Sequence, residues 1–372
     1  MEHQQNPDHH RGGDGGGRTY CVTGATGYIG SWLVKSLLEK GYSVHATVRN
    51  PGSANCDHFL KLWRGGDRLR LFKADLHEER SFDDAVQGCH GVFHVAASMD
   101  IVLPPTNNHD SVQSNIIDPL IKGALNILKS CLRSKSVKRV VFTSSISTMT
   151  ALNNDGEWLP VVDESCRIPI DVVWNTKSSG WVYVLSKRLT EDASFQFAKE
   201  NGIHLISVVT TTVAGPFLTP AVPLSIRFLL SPITGDSDLL PLLSAVNSRM
   251  GSIGLVHTED ICNAHLYLME HDQAEGSYIC CTNSCTLSQL VHYLAKIYPS
   301  PNLHRVVRAE MGSAPSEISS KKLKDLGFRY KYGLHEVIHQ TVDCSIDAGL
   351  LPPNKNKSTS HDAMSTTQLQ AS

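Results

Sequence analysis

Short apolar runs alternate along this chain with segments in which apolar residues recur every three to four positions. The runs predict β-strands, and the recurring segments predict amphipathic α-helices. In chain order, the predicted strands cover residues 19–23, 43–48, 69–73, 91–96, 138–142 and 205–209. Regular alternation of strands and helices is typical of a parallel sheet covered by helices on both faces. The pattern therefore predicts a doubly wound α/β fold.

Composition narrows the class of protein. The chain has 372 residues, 41% of them hydrophobic, and its 34 basic and 36 acidic residues leave a formal charge of -2. This balance argues against nucleic acid or a membrane surface as a partner. The ten cysteines show no zinc-binding spacing, so we expect them to be reduced and buried, with no metal site. No apolar run is long enough to span a bilayer, and we predict a cytosolic protein.

A glycine-rich turn follows the first predicted strand and opens the first predicted helix. Its glycines, Gly24, Gly27 and Gly30, have the spacing GxxGxxG. The first permits a tight turn, the second lets the backbone approach a diphosphate, and the third permits close packing of helix on strand. The helix start then offers N–H groups to the phosphates. The turn predicts a dinucleotide site of the Rossmann type, to which Thr26, Tyr28 and Ile29 also belong.

The end of the second predicted strand indicates which dinucleotide binds. Enzymes that use NAD usually carry a carboxylate there, whereas this chain carries Arg49. A guanidinium can bind a 2′-phosphate through forked, charge-assisted hydrogen bonds, so we predict NADPH. Asp75, with Leu76 after it, either accepts a hydrogen bond from the adenine or caps the helix predicted near Ser81. The small residues at the end of the fourth strand leave room beside the cofactor; they are Val95, Ala96 and Ala97.

Tyr183 and Lys187 are the candidates for proton transfer. They lie four residues apart on a helix predicted over 180–200, so they share one face. The ammonium of Lys187 would stabilise the phenolate of Tyr183, which could then give its proton to a substrate oxygen. Both residues are also predicted to lie at the cofactor, where Lys187 would hydrogen-bond the nicotinamide ribose. Ser145, at the end of the fifth predicted strand, could hold that oxygen in place. Each motif alone is weak evidence for a reductase. The prediction depends on the order in which the glycine turn, the serine and the Tyr-Lys pair occur along one chain.

These residues carry a family resemblance across nearly the whole chain outside its tails. The segments VTGATGYIGSWLVKSLLEKGY, GVFHVAASMD, KRVVFTSS, WVYVLSKRLTEDASFQFAKENGI, SPITGD and LVHTEDICNAHLYLMEH resemble the plant flavonoid reductases of the extended short-chain dehydrogenase/reductase superfamily. The resemblance implies that Ser145, Tyr183 and Lys187 form the catalytic triad and that Arg49 binds the phosphate. Two positions depart from it. Cys56 replaces a second phosphate-binding lysine, a charge that Lys61 could supply, and Thr210 replaces a common proline.

Within that family the chain is more similar to anthocyanidin reductases than to dihydroflavonol 4-reductases. The stretch between Gly235 and His257 is long, as in the former, and Thr150 stands where the latter have a substrate-binding asparagine. The resemblance implies NADPH-dependent reduction of an anthocyanidin to a flavan-3-ol, with Tyr183 as proton donor. The alternatives are dihydroflavonol 4-reductase, a related reductase of isoflavanones or aromatic aldehydes, and a protein that binds NADPH without turnover.

The substrate should then be a flat aromatic molecule in a mostly apolar pocket. Candidate substrate contacts are Met99, Ser145, Val184 and Phe217, with Leu218, Pro223 and Ile226 as further wall residues. The cluster from His257 to Asp260 opens a helix, and we interpret its carboxylates as compensating the helix dipole rather than as catalytic groups.

The domain organisation follows from where the alternation of strands and helices weakens. Residues 19–210 are predicted to form the NADP-binding Rossmann domain, together with returning segments near 253–282. Residues 211–252 and 283–353 are predicted to form a smaller α/β lobe that selects the substrate. The segments 1–18 and 354–372 contain little to bury and are predicted to be disordered tails.

Overall fold

A seven-stranded parallel sheet forms the centre of the computed structural model, which describes residues 17–63, 66–97, 109–153, 155–303 and 315–353. Its strands, in chain order, are β1 (Thr19–Thr23), β2 (Ser43–Val48), β3 (Leu69–Lys73), β4 (Gly91–His94), β5 (Arg139–Ser145), β7 (His204–Thr210) and β10 (Gly276–Cys280). The spatial order is β10-β7-β5-β4-β1-β2-β3. The order therefore reverses between β1 and β4, and such switch points are where doubly wound sheets bind ligands.

The predicted doubly wound fold is confirmed, and the main differences are at the ends of strands. Three predicted strands have the observed bounds, whereas β4 ends at His94 and β5 continues to Ser145. Strand β5 is longer because it pairs with β4 over its first residues and with β7 along its whole length. Strand β10 was not among the six predicted strands. It joins the sheet edge beside β7.

Helices cover both faces of the large sheet and build a second core beside it. In chain order they are α1 (Tyr28–Glu39), α2 (Ala54–Leu62), α3 (Asp83–Val86), α4 (His109–Val112), α5 (Asp118–Ser134), α6 (Ile170–Thr176), α7 (Trp181–Asn201), α8 (Leu224–Leu229), α9 (Ser231–Thr234), α10 (Leu239–Met250), α11 (Thr258–Glu270), α12 (Leu287–Ile297), α13 (Lys321–Asp325) and α14 (Leu334–Asp347). A π-helical turn (Gln113–Ile117) precedes α5, and a 3₁₀ turn (Ile146–Thr148) follows β5. Helices α1 and α11 pack on one face of the sheet, and α3 and α5 pack on the other.

Two small sheets lie beside the large one. Strand β8 (Thr212–Ala214) pairs with β9 (Ile253–His257), which also pairs with β11 (Asn283–Cys285), and β6 (Val161–Val162) pairs with β12 (Glu317–Ile318). Of the predicted returning segment 253–282, β10 joins the large sheet, whereas β9 belongs to the three-stranded sheet. A separate apolar core unites α8, α10, α12 and α14. The division into two lobes stays a prediction.

Arg139, the first residue of β5, fixes α11 on the sheet. Its Nη1 donates hydrogen bonds to the carbonyls of Leu268, Met269 and His271 at 2.9, 2.9 and 2.8 Å. These carbonyls lie at the carboxyl end of α11, where helix carbonyls lack partners within the helix. One buried guanidinium thus satisfies three acceptors and sets where the helix ends.

All ten cysteines lie in the described ranges, and each is a free thiol. Eight are buried, as predicted, and Cys166 and Cys344 are partly buried. None of the helices in the described ranges has both the length and the apolar composition needed to cross a bilayer. The cytosolic location stays a prediction. The predicted tails, apart from residues 17 and 18, lie outside the described residues.

Candidate active site

Close backbone contacts explain the glycines of the turn between β1 and α1. A Cβ on Gly30 would lie 2.2 Å from the carbonyl oxygen of Gly24. Gly24 itself has φ +67°, and its Cβ would lie 2.9 Å from the Cα of Ala96, just beyond the end of β4. The turn therefore fits against α1 and against the end of β4 only without side chains at these positions.

The start of α1 has the properties of an anion site. Gly27 is the N-cap residue and supplies no side-chain hydrogen bond, and the first turn holds no acidic residue. The first N–H groups of the helix, with its partial positive end, are left to an external acceptor. Gly27 and the neighbouring Thr26 are at least partly exposed, so a diphosphate can reach them. A nicotinamide dinucleotide therefore fits the turn.

The predicted contacts Tyr28 and Ile29 differ in position. Ile29 lines the cavity described below, whereas the Tyr28 hydroxyl donates to the carbonyl of Gly215 at 3.1 Å. The N–H of Gly215 in turn donates to the hydroxyl of Thr341 at 2.7 Å. Gly215 has φ +110°, and a Cβ there would lie 2.7 Å from the ring of His257. The glycine turn is thus joined to the start of the segment 215–223.

Thr23 is a positioning residue that the sequence reasoning missed. Its hydroxyl accepts hydrogen bonds from the N–H groups of Val95 and Ala96 at 3.1 and 3.0 Å. Its own proton is then left for Nδ1 of His94, 3.0 Å away. Burial lowers the pKa of His94 to about 3, with a smaller effect from Lys187, so the imidazole is neutral. The hydroxyl ties the end of β1 to the end of β4. Thr23 is the last residue of β1, and this position could have indicated its role from the sequence.

Arg49 follows β2 directly and is exposed. It makes no hydrogen bond or ion pair with any residue in the described ranges, which leaves it available to a phosphate. Cys56 lies buried in the first turn of α2, where Ser53 caps its N–H, and a buried thiol cannot replace a cation. Lys61 is exposed in the last turn of the same helix.

Asp75 and Leu76 lie just beyond β3 and are partly buried. Oδ1 of Asp75 accepts the N–H of His77 at 2.9 Å and so closes a local turn. The next helix, α3, begins only at Asp83 with Phe82 as its N-cap, so the interpretation of Asp75 as a helix cap is wrong. Leu76 packs with the core on the α5 side of the sheet.

A cavity of about 310 Å³ lies at the carboxyl ends of β5 and β7. It brings together Ser145, Tyr183 and Lys187 from β5 and α7, with Val184 on the same helix. Its wall toward the glycine turn is formed by Ile29, Val95 and Ala97. The sequence placed these seven residues at one site from four separate segments, and they line one cavity.

Other predicted residues lie elsewhere. Ile226 is fully buried in the second core, and Phe217 packs against that core. Leu218, Pro223 and Thr150 are likewise not among the lining residues, and Met99 lies outside the described residues. The lining residues that sequence reasoning missed come mainly from α8, α10 and the 3₁₀ turn. The main ones are Ser147, Leu224, Phe228, Leu239, Leu242, Val246 and Arg249.

Hydrogen bonds orient two of the three candidate catalytic groups. Oγ of Ser145 accepts the N–H of Ser147 at 3.2 Å, which leaves its own proton free to be donated into the cavity. Nζ of Lys187 lies 3.5 Å from the carbonyl of Thr143, on the same strand as Ser145. Thr210, which stands where relatives commonly have proline, donates its hydroxyl to the carbonyl of Ser144 at 3.1 Å. A proline could not make that bond.

His265, on α11, holds β5 through a hydrogen bond. Its Nδ1 lies 2.7 Å from the carbonyl of Ile261 and must donate to it, so Nε2 accepts the hydroxyl proton of Thr143 at 2.8 Å. Burial lowers the pKa of His265 to about 4, against a smaller opposite effect from the carbonyl. The imidazole is therefore neutral in the folded protein at neutral pH.

Because His265 is buried in its neutral form, we predict that the free energy of unfolding falls as the pH is lowered. In the unfolded chain an ordinary histidine has a pKa of about 6.5, so acid protonates the unfolded state first. The stability supplied by neutral His265 is present above pH 6.5 and is lost as the pH falls toward 4. Between pH 7 and pH 5, His265→Gln should lose about 2 kcal/mol less unfolding free energy than the wild type. Urea titrations at both pH values measure these free energies, and His292→Gln, at an exposed position, is the control. Equal losses in His265→Gln and the wild type would contradict the prediction.

The cluster that opens α11 is structural. Nδ1 of His257 accepts the N–H of Glu259 at 3.1 Å and so caps the helix. The carboxylate of Asp260 accepts the N–H groups of Lys331 and Tyr332 at 2.9 and 3.1 Å. These contacts agree with the interpretation of the cluster as structural rather than catalytic, and the carboxylate of Asp260 also holds the C-terminal segment.

The comparisons with known proteins decide the family. A sequence model of the NAD dependent epimerase/dehydratase family matches residues 20–281. The chain belongs to this family. A putative anthocyanidin reductase from Ginkgo biloba is 42% identical over 334 residues, which cover 90% of this chain and 96% of that protein. A bifunctional dihydroflavonol 4-reductase/flavanone 4-reductase from Malus domestica is also 42% identical, over 89% of this chain and 91% of that protein.

Among solved structures, vestitone reductase from alfalfa (Medicago sativa) superposes with a TM-score of 0.73 at 32% identity. The superposition covers 90% of this chain and 99% of that one. This family member is therefore an NAD(P)-dependent oxidoreductase of the extended short-chain dehydrogenase/reductase type, and the resemblance to flavonoid reductases is confirmed.

Proposed function

We propose that the protein uses NADPH to reduce a flavonoid, and that the reaction is reduction of an anthocyanidin to a flavan-3-ol. The observation that carries the proposal is the single cavity in which Ser145, Tyr183 and Lys187 meet beside the wall formed by Ile29, Val95 and Ala97. Most of the exposed lining is apolar, as a planar aromatic substrate requires. The relatives named as anthocyanidin reductases support this class of substrate.

Each candidate catalytic residue has a role that its contacts allow. Tyr183 donates its proton to a substrate oxygen or carbon that gains electron density, and Ser145 holds the reacting group with its free O–H. Lys187, on the same face of α7, stabilises the phenolate left on Tyr183. When bound, NADPH would supply hydride. An anthocyanidin cation becomes a flavan-3-ol by gaining two hydrides and one proton, so each product would consume two molecules of NADPH. Gly24, Gly27 and Gly30 form the turn that would receive its diphosphate.

Dihydroflavonol reduction is the second candidate, because a dihydroflavonol 4-reductase is as similar to this chain as the anthocyanidin reductase is. One observation favours the first candidate. Thr150 stands where dihydroflavonol 4-reductases have a substrate-binding asparagine. Its hydroxyl accepts the N–H of Leu152 in a local turn, and the residue does not line the cavity.

A substrate panel tests the proposal. Purified protein is incubated with NADPH and with anthocyanidins, dihydroflavonols, isoflavanones or aromatic aldehydes, and the products are identified. We expect cofactor oxidation with anthocyanidins and a flavan-3-ol product. A dihydroflavonol product alone would support the second candidate. If NADPH binds but no compound in the panel drives its oxidation, the protein is a cofactor-binding protein and the proposal fails.

Arg49 should set the preference for NADPH. Replacing it with alanine removes the guanidinium we assign to the 2′-phosphate, so NADPH should bind about tenfold to a hundredfold more weakly. The affinity for NADH, which lacks that phosphate, should stay the same. Equilibrium titration of both cofactors measures the two effects. If Lys61→Ala weakens NADPH binding and Arg49→Ala does not, the phosphate is bound by α2 instead.

A further inference from the structure

Lys187 is not the only basic residue in the wall of the cavity, because Arg249 also lines it. Helix α10 turns one face to the cavity, and Leu239, Leu242 and Val246 make that face apolar. Arg249 continues the same face in the last turn of the helix. The carbonyl of Arg249 accepts the N–H of Ala151 at 3.2 Å, which fixes its backbone beside the cavity.

The guanidinium of Arg249 has no partner within the described ranges. Its Nε is buried without a hydrogen bond, and the side chain forms no ion pair with a described residue. Burial lowers its pKa to about 10, which still leaves it charged at neutral pH. By contrast, the buried Arg139 binds backbone carbonyls, and the partly buried Arg167 binds the carboxylate of Glu191. Arg249 as a whole is partly exposed, but a partly desolvated charge without a counter-charge still costs stability, so it indicates a ligand.

Two hydroxyls add to this donor set. Ser144 and Ser147 line the same cavity, and the Oγ atoms of both are buried without a hydrogen-bond partner in the described part of the chain. Ser145, between them in sequence, is the candidate catalytic serine. One cavity therefore holds a guanidinium and two hydroxyls that the protein itself leaves unsatisfied, in an otherwise largely apolar lining.

An ordinary role for Arg249 would be to compensate the dipole at the carboxyl end of α10. That role needs the charge near the last turn, but it does not need Nε buried or the side chain in the cavity wall. A guanidinium instead binds oxyanions through charge-assisted hydrogen bonds, and the oxyanion that an aromatic substrate can present in this largely apolar cavity is an ionised phenol.

We propose that Arg249 binds an ionised phenolic oxygen of the aromatic substrate, with Ser144 and Ser147 as further hydrogen-bond donors, and so selects flavonoids with an acidic hydroxyl. This inference rests on the proposed function for its substrate class and adds which substituent the site recognises. Arg249 is a specificity-determining residue in this assignment, and proton transfer stays with Tyr183.

The test measures equilibrium binding and does not need turnover. Naringenin and its 7-O-methyl and 4′-O-methyl ethers are titrated against the protein with NADP⁺ present, and quenching of tryptophan fluorescence is followed. Each ether lacks one ionisable hydroxyl. The proteins are wild type, Arg249→Met, Arg249→Lys and the control Arg227→Met, which removes an exposed guanidinium that pairs with Asp236.

In the wild type, one of the two ethers should bind about tenfold to a hundredfold more weakly than naringenin. Affinity for naringenin should rise as the pH passes upward through the ionisation of that hydroxyl. Arg249→Met should bind all three compounds alike with no such rise, Arg249→Lys should restore part of the preference, and Arg227→Met should match the wild type. Because Arg249→Met removes a desolvated charge, its midpoint of thermal unfolding should be unchanged or higher.

Three results would overturn the inference. They are no binding of naringenin to the wild type, equal wild-type affinity for naringenin and both ethers, and an unchanged preference in Arg249→Met. If Arg249→Met unfolds at a lower temperature and Arg249→Lys restores stability without restoring the preference, the role is structural and the inference fails. Failure of the proposed function is a separate result, because the substrate panel reports it through NADPH oxidation and this experiment through binding.

Discussion

Replacing Tyr183 by phenylalanine should lower kcat for NADPH-dependent reduction by about a hundredfold to ten-thousandfold. The ring stays in the cavity wall and only the hydroxyl is lost, so the shape of the cavity and the binding of cofactor should change little. The proton then has to come from water, which is not positioned by the protein. Absorbance of NADPH under saturating substrate measures kcat, and a cofactor titration measures binding.

Tyr293→Phe is the matched control for this variant. Tyr293 lies on α12, away from the cavity, and its hydroxyl makes no hydrogen bond with residues in the described ranges. It should keep the wild-type rate. A Tyr183→Phe protein that retains more than about a tenth of the wild-type kcat would show that another group donates the proton.

The second large effect is expected at Gly30. Alanine there would place its Cβ 2.2 Å from the carbonyl oxygen of Gly24, and both partners are backbone atoms that no rotamer change can move apart. The turn would have to open, which should cost about 3 kcal/mol of unfolding free energy. Opening also displaces the N–H groups at the start of α1, so cofactor binding should be lost. Urea unfolding and NADPH titration measure the two effects.

Gly52→Ala gives the comparison. It lies in the turn before α2, where a Cβ would meet only the Asn50 side chain at 3.6 Å, an ordinary contact. This variant should unfold within about 0.5 kcal/mol of the wild type. If Gly30→Ala is equally stable and still binds NADPH, the close approach of turn and helix is not what requires glycine.

Local patterns were sufficient to predict the large sheet and one side of the site. Each strand of a doubly wound sheet is a compact apolar run, and the glycine turn, Ser145 and Tyr183 each follow from a short segment. In a parallel sheet the ends of these strands meet at one edge, so sequence order alone brings those residues together. That is why seven predicted residues line one cavity.

The opposite wall of the cavity could not be predicted in this way. Helices α8 and α10 lie in the second core, and which of their faces meets β5 depends on how that core packs on the sheet. Phe217 and Ile226 were chosen by apolar character, which does not separate a wall residue from a core residue. Arg249 showed no signal in sequence, because an arginine in the last turn of a helix is usually a solvated charge.

The bond from Tyr28 to Gly215 has a consequence for how such proteins can change their substrate range. The hydrogen bonds that hold Gly215, from Tyr28 and Cys344 and to Thr341, all use its backbone, and φ +110° together with the nearby His257 ring keeps the position a glycine. These hydrogen bonds therefore do not depend on the side chains of the residues that follow Gly215. Residues 216–223 can diversify, or be exchanged for the same segment of a relative, while the nucleotide turn keeps its geometry. The segment leads directly into Leu224, which lines the cavity, so grafting it behind the fixed Gly215 can shift that part of the wall while the reductive machinery stays intact.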